Sequence, residues 1–244
     1  MIKIENTEVF GWEAAIRGMR NPLDSWSKSD SGYCQGRSSF CDTCDLKPDD
    51  DYAPCYLATE MKGKEFVVGA NDLNLMKRLV KAGSDHSKFM RMINVTVDVT
   101  APMYWWKEAD TYKVGTVRNS CSTMHRIHAK EFTLDDFSHE HLISDCVEVL
   151  GNVIDVLNQA RDAYIDYDNI KDNLCDEITN KKDLWWQLIQ LLPSSYNQRA
   201  TLQLNYAVLR NIYHSRKNHK LDCWHTFCDW IESLPYAKEL IVDC

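Results

Sequence analysis

The alternation of Val95, Val97 and Val99 with Thr96, Asp98 and Thr100 is the strongest constraint on how this chain can fold. Successive side chains of a strand point to opposite faces, so the run has one apolar and one polar face. It predicts a strand over Phe89–Thr100, stopped by Pro102, which needs partner strands and a layer over its valines. Two shorter runs offer partners: Ile2 to Phe10 and Phe66 to Gly69.

Elsewhere the apolar period is helical. Trp12, Ala15, Ile16 and Met19 share one face of a short helix ended by Asn21-Pro22. A second helix is expected over Leu73–Ala82, capped by Asn71 or Asp72 and closed by Gly83. A long helix is expected from Ser138 to about Tyr167. Its seam is Leu142, Cys146, Val149, Val153, Val156, Ala160, Ala163 and Tyr167, at heptad-like spacings of 3 and 4. That seam suits a central helix in one core or the face of a helical dimer. Leu184, Leu188 and Leu191 mark a short helix before Pro193. A further helix is expected from Ser194 or Ser195 to Lys217, and the last over Leu221–Ser233.

The class that results is α+β, mainly helical, with a small central mixed or antiparallel sheet, in a single domain over 1–244. No uncharged apolar run approaches the roughly 18 residues a membrane helix needs. The first ten residues lack the apolar core of a signal peptide, so an intracellular, cytoplasmic protein is expected. The net charge of −8 argues against duplex nucleic acid as a partner.

Residues 31–65 read as an inserted cysteine-rich knuckle. Cys34, Cys41, Cys44 and Cys55 follow a C-x6-C-x2-C-x10-C spacing. A Cys-x2-Cys turn brings two thiolates to one side of a tetrahedral ion, so zinc is expected ahead of an iron–sulfur cluster. A loop of reduced thiols is the alternative. Cys146, Cys223 and Cys228 read as small buried apolar residues.

Two segments carry chemistry. Tyr104–Ile127 follows the strand and is dense in aromatic and polar groups. Trp105 and Trp106 offer flat walls for a ring, and Lys107 and Glu108 offer charge stabilisation and proton transfer. Asn119, Ser120 and Ser122 offer hydrogen bonds, and His125 and His128 stand three apart. The other segment, Tyr196–Leu221, contains Arg199, Arg210, Arg216, Lys217 and Lys220 and no acidic residue. On one helix Asn205 and Arg216 would fall within about 20° of each other. Arginine suits phosphate because its fork donates two parallel hydrogen bonds. His86 is a further candidate base or phosphate donor.

These segments resemble flavin-dependent thymidylate synthase. The resemblance rests on Leu192-Pro193, on L-N-Y-A-V-L-R-N-I-Y-H-S-R over 204–216, on G-S-D-H-S-K-F over 83–89, and on the order of elements. It implies that Arg216 contacts a pyrimidine nucleotide, and that Asn205 and His86 lie on the flavin side. It also implies FAD as cofactor, one-carbon transfer to a pyrimidine deoxynucleotide, and a homo-oligomer. The family shows Arg-His-Arg where this chain reads Trp-Trp-Lys-Glu, and Arg and His where it reads Ala207 and Asn211. A non-catalytic nucleotide-binding protein, or a metal-knuckle interaction protein, is therefore the alternative function.

Overall fold

A computed structural model of the chain describes residues 2–33 and 66–243. Six strands are present among them: β1 (Lys3–Phe10), β2 (Gly32–Tyr33), β3 (Phe66–Val67), β4 (Asn94–Pro102), β5 (Val117–Ser120) and β6 (Asn197–Asn205). Four form one antiparallel sheet in the order β1-β4-β6-β5, and β2 pairs with β3 in a two-stranded ribbon. The helices are α1 (Trp12–Arg20), α2 (Ala70–Lys81), α3 (Met103–Ala109), α4 (Thr123–Arg126), α5 (Ser144–Ile165), α6 (Tyr167–Ile170), α7 (Lys181–Leu191), α8 (Tyr206–Arg216) and α9 (Asp222–Glu232). The valines of β4 are buried and its Thr and Asp positions are not, as the alternation requires. The strand begins later than expected, because residues 88–91 form a 3-10 turn.

The chain divides into two compact units. Unit 1 comprises residues 1–5, 98–111 and 118–201, and unit 2 comprises 6–97, 112–117 and 202–244. The core of unit 1 gathers Ile127, Phe132, Phe137, Leu150, Ile154, Leu157 and Leu188. In unit 2 the Trp12 ring meets Tyr206 and Tyr236 edge-on at 5.4 and 5.3 Å.

A buried ion pair ties the start of α2 in unit 2. Arg20 Nε donates to Asp72 Oδ1 at 2.6 Å, and both side chains are almost fully buried. Ser29 Oγ, Ser31 Oγ and the Asp30 amide also donate to Asp72. Burial alone would push the Asp72 carboxyl up. The hydrogen bonds from Ser31, Ser29 and Arg20, with the Arg20 charge, outweigh it and hold the group below its ordinary value. So Asp72 is an ion-pair partner, not the expected cap. Asp30 is the cap: its carboxylate accepts from the Asn71 and Asp72 amides.

Three further expectations change. The helix expected from 194 to 217 is strand β6 followed by α8. Ala200, Leu202 and Leu204 are buried while Arg199, Thr201 and Gln203 are exposed, which is the period of a strand. Asn205 then caps α8, its Oδ1 accepting from the Val208 amide at 3.1 Å. Asn205 therefore lies at the head of the helix, not on a face shared with Arg216. The long helix starts at Ser144, and its inward stripe is Leu150, Ile154 and Leu157. The heptad-like seam is turned outward at Leu142, Val149 and Val156. Cys223 and Cys228 are buried as expected, whereas Cys146 is exposed. The Cys228 thiol is pushed up to about 11 by burial and by Asp229 and Glu232.

Candidate functional site

In unit 1 the stretch after β4 folds as α3, β5 and α4. α3 turns both tryptophans inward: Trp105 is 0% and Trp106 3% exposed. Their rings meet edge-on at 4.9 Å, and Trp106 Nε1 donates to the Gln198 carbonyl. The outer face of Trp106 is covered by Arg118, whose Cζ lies 3.9 Å from the ring centroid. Arg118 is held in turn by Asp110, at 2.6 and 2.8 Å, and by the Gln198 side chain. The result is a closed stack of ring, guanidinium and carboxylate. Lys107 is exposed and Glu108 half-buried at the end of the same helix. Asn119 and Ser120 are exposed on β5, and Ser122 caps α4 by accepting from the His125 amide.

Unit 2 contains the other candidates. Arg216 ends α8 and is half-buried. Its Nε donates to the Tyr112 hydroxyl at 2.8 Å. Its Cζ lies 4.8 Å from the Trp224 ring centroid and 5.5 Å from that of Tyr112. The two rings stand at 71° to each other, so the guanidinium sits in an aromatic corner that fixes its plane. A planar fork with its direction fixed loses little entropy when it takes a phosphate or carboxylate.

Gly115 closes the loop carrying Tyr112 onto the head of α8. Its φ is +81°, and a Cβ there would lie 2.8 Å from Asn205 Nδ2 and 3.2 Å from Val208 Cγ2. Asn205 is buried and donates to the Gly115 carbonyl at 3.4 Å. Arg210 and Arg216 lie six residues apart, about 240° around the helix, and so face different ways. His86 is exposed in the turn after Gly83.

The structure thus gathers Trp105 and Trp106 with Arg118, and Arg216 with Tyr112 and Trp224. Sequence reading missed Tyr112, Asp110, Arg118, Gln198 and Trp224 as partners. The available signal was weak: an aromatic and a charge near each candidate, with separations from 8 residues (Asp110 to Arg118) to 104 (Tyr112 to Arg216) and no shared spacing that pairs them. Cys34, Cys41, Cys44 and Cys55 lie outside the described residues. Among the described residues, no group of three His, Cys, Asp or Glu could hold a metal. Nor is any described helix long and apolar enough to cross a membrane.

No protein-family model matches the sequence, and no curated protein matches it. Solved structures do. Flavin-dependent thymidylate synthase ThyX from Helicobacter pylori, solved with FAD and dUMP, superposes with a TM-score of 0.60 at 14% identity, covering 99% of each chain. A second structure of thymidylate synthase X from the same organism, also with FAD and dUMP, gives 0.60 at 13% identity over 100% of this chain and 99% of that one. The fold is that of flavin-dependent thymidylate synthase. The expected architecture, a mainly helical α+β fold around a small sheet, is therefore correct.

Proposed function

We propose that this chain binds a pyrimidine nucleotide and that Arg216 takes its phosphate. The observation that carries the reading is the aromatic corner of Tyr112 and Trp224, which holds one guanidinium in a fixed plane at the end of α8. The fold supports it, because similar structures were solved with FAD and dUMP. Asn205 and Gly115 act here by fixing the loop that carries Tyr112.

A flavin would supply hydride chemistry if bound, but it needs a flat wall. Trp105 and Trp106, the rings expected to supply one, are packed against each other and Arg118. They do not fit that task. Binding without turnover is thus the form of the proposal these residues favour. A homo-oligomer belongs to the same reading, since α5 turns Val149 and Val156 to solvent.

The test is a melting-shift and calorimetric titration with dUMP, dTMP, UMP and FAD. A pyrimidine nucleotide should raise the melting temperature of the wild type and leave Arg216→Ala unmoved. If no pyrimidine nucleotide shifts the wild type, the proposal is wrong. A purified protein with flavin absorbance would overturn the non-catalytic form and restore one-carbon transfer by Lys107 and Glu108 as the reading to test.

A further inference from the structure

A pocket lies wholly within unit 1 and includes none of the residues around Arg216. It is an open cleft of about 720 Å³ lined by Met124, His125, His128, Tyr164, Lys181, Lys182 and Trp185. That volume lies within the range of small-molecule sites, roughly 300–1,000 Å³. Among the described residues no carboxylate lines it, in a chain whose net charge is −8. Two lysines give it a positive wall.

The rings are organised. Tyr164 and His128 lie 4.7 Å apart between centroids, Lys181 Nζ stands 4.9 Å from the Tyr164 centroid, and Trp185 is tethered by Nε1 to the Met124 carbonyl at 2.9 Å. His128 Nδ1 is shut from solvent with no hydrogen-bond partner among the described residues. The lysines are also oddly placed for stability. They occupy the first turn of α7, where the helix dipole disfavours cations. The one acidic residue of that turn, Asp183, is spent on the cap, accepting from Thr179 and Asn180. Lysines at that end of a helix, facing a ring-lined pocket, are placed as an anion site requires.

We infer that this pocket binds an aromatic phosphate of nucleotide size, its ring against Trp185 and Tyr164 and its phosphate on Lys181, Lys182 and His125. The inference is independent of the proposed role of Arg216. Phenyl phosphate is the probe, titrated calorimetrically into the full chain with inorganic phosphate as control.

Wild type and Arg216→Ala should bind phenyl phosphate alike, and inorganic phosphate at least tenfold more weakly. Lys181→Glu/Lys182→Glu should weaken phenyl phosphate at least tenfold. Charge reversal there suits the helix dipole, so this variant should melt no lower than wild type. Trp185→Leu should weaken phenyl phosphate and leave inorganic phosphate unchanged. No heat at millimolar phenyl phosphate, an unchanged affinity in the double lysine variant, or loss in Arg216→Ala would each overturn the inference. Equal affinity for inorganic phosphate would overturn the ring half of it.

Discussion

The region from Tyr104 to Ser122 and the end of α8 hold similar inventories and use them in opposite ways. Each has an arginine set against aromatic rings. In unit 1, Arg118 is stacked on Trp106 and gripped by Asp110 and Gln198, so its charge is answered within the fold. In unit 2, Arg216 donates to the Tyr112 hydroxyl and lies against the Tyr112 and Trp224 rings, which set its plane. A guanidinium gripped by a carboxylate favours stability, whereas one whose plane is set by rings presents a fixed fork. The density of functional groups in a stretch therefore says less than what each group faces.

The sharpest way to break this comparison is Trp106→Ala. If Trp106 is interior, its loss should cost about 3–5 kcal/mol, as removal of a buried aromatic does. Denaturant unfolding measures this. A loss below about 1 kcal/mol, joined to loss of nucleotide binding, would make the ring a ligand wall and reverse the contrast. The next effect is on binding. Arg216→Ala should weaken a pyrimidine nucleotide roughly a hundredfold, about 2.7 kcal/mol. Equal affinity in titration calorimetry would remove Arg216 from any site.

The contrast was only half legible in the sequence. Period-2 valines announced β4, and helical periods announced α1, α2, α7 and α9. β6 was missed although Ala200, Leu202 and Leu204 alternate as plainly as the valines do. The leucines and tyrosines that follow at helical spacing drew the whole segment into one helix. Asn205 marks the switch, and a capping residue is a boundary signal only when something ends before it. The stripe of α5 slipped because two apolar sets, at Val149/Val156 and at Leu150/Leu157, lie about 100° apart and only packing chooses between them. Arg216 was singled out as a candidate by the basic run over 196–221 and by the family resemblance. Tyr112 and Trp224 were not, since a contact from 112 to 216 has no local sequence pattern. Asp72 looked like a cap because an acidic residue at a helix start usually is one. Its partner Arg20 lies 52 positions away.

A smaller effect tests whether α8 is held rigidly enough to aim Arg216. On this helix Tyr213 donates to Glu232 Oε1 at 2.6 Å, tying α8 to α9, which carries Trp224. The hydrogen bond to Glu232, with burial, pushes the phenol up to about 12 from an ordinary value near 10. A group raised on folding contributes stability in full below its unfolded pKa and loses it as pH rises through the folded one. The contribution of Tyr213 should therefore be complete below about pH 10 and fade toward 12. Tyr213→Phe should cost about 1.5 kcal/mol at neutral pH. Chemical denaturation across pH 9–12 should show a shallower alkaline decline in the variant. The buried Cys228 thiol, raised to about 11, adds a limb that starts earlier and should persist in both proteins. An identical alkaline decline in the two would mean that Tyr213 does not brace the helix.

The smallest effect belongs to Arg118, and it bears most directly on the comparison. Its partner Asp110 is half exposed, with 49% of the side chain accessible, so solvent screens the pair. Exposed ion pairs contribute about 0–1 kcal/mol, and the stack on Trp106 adds a similar amount. Arg118→Met keeps the apolar cover over Trp106 and removes the charge. It should cost about 1 kcal/mol, with the difference from wild type shrinking as salt rises. Asp110→Asn should cost less, because the Gln198 bond to Arg118 survives it. Neither variant should alter nucleotide affinity. Were Arg118→Met to fold normally and lose the nucleotide, the stacked arginine of unit 1 would be the anion site, and Arg216 would be the structural one.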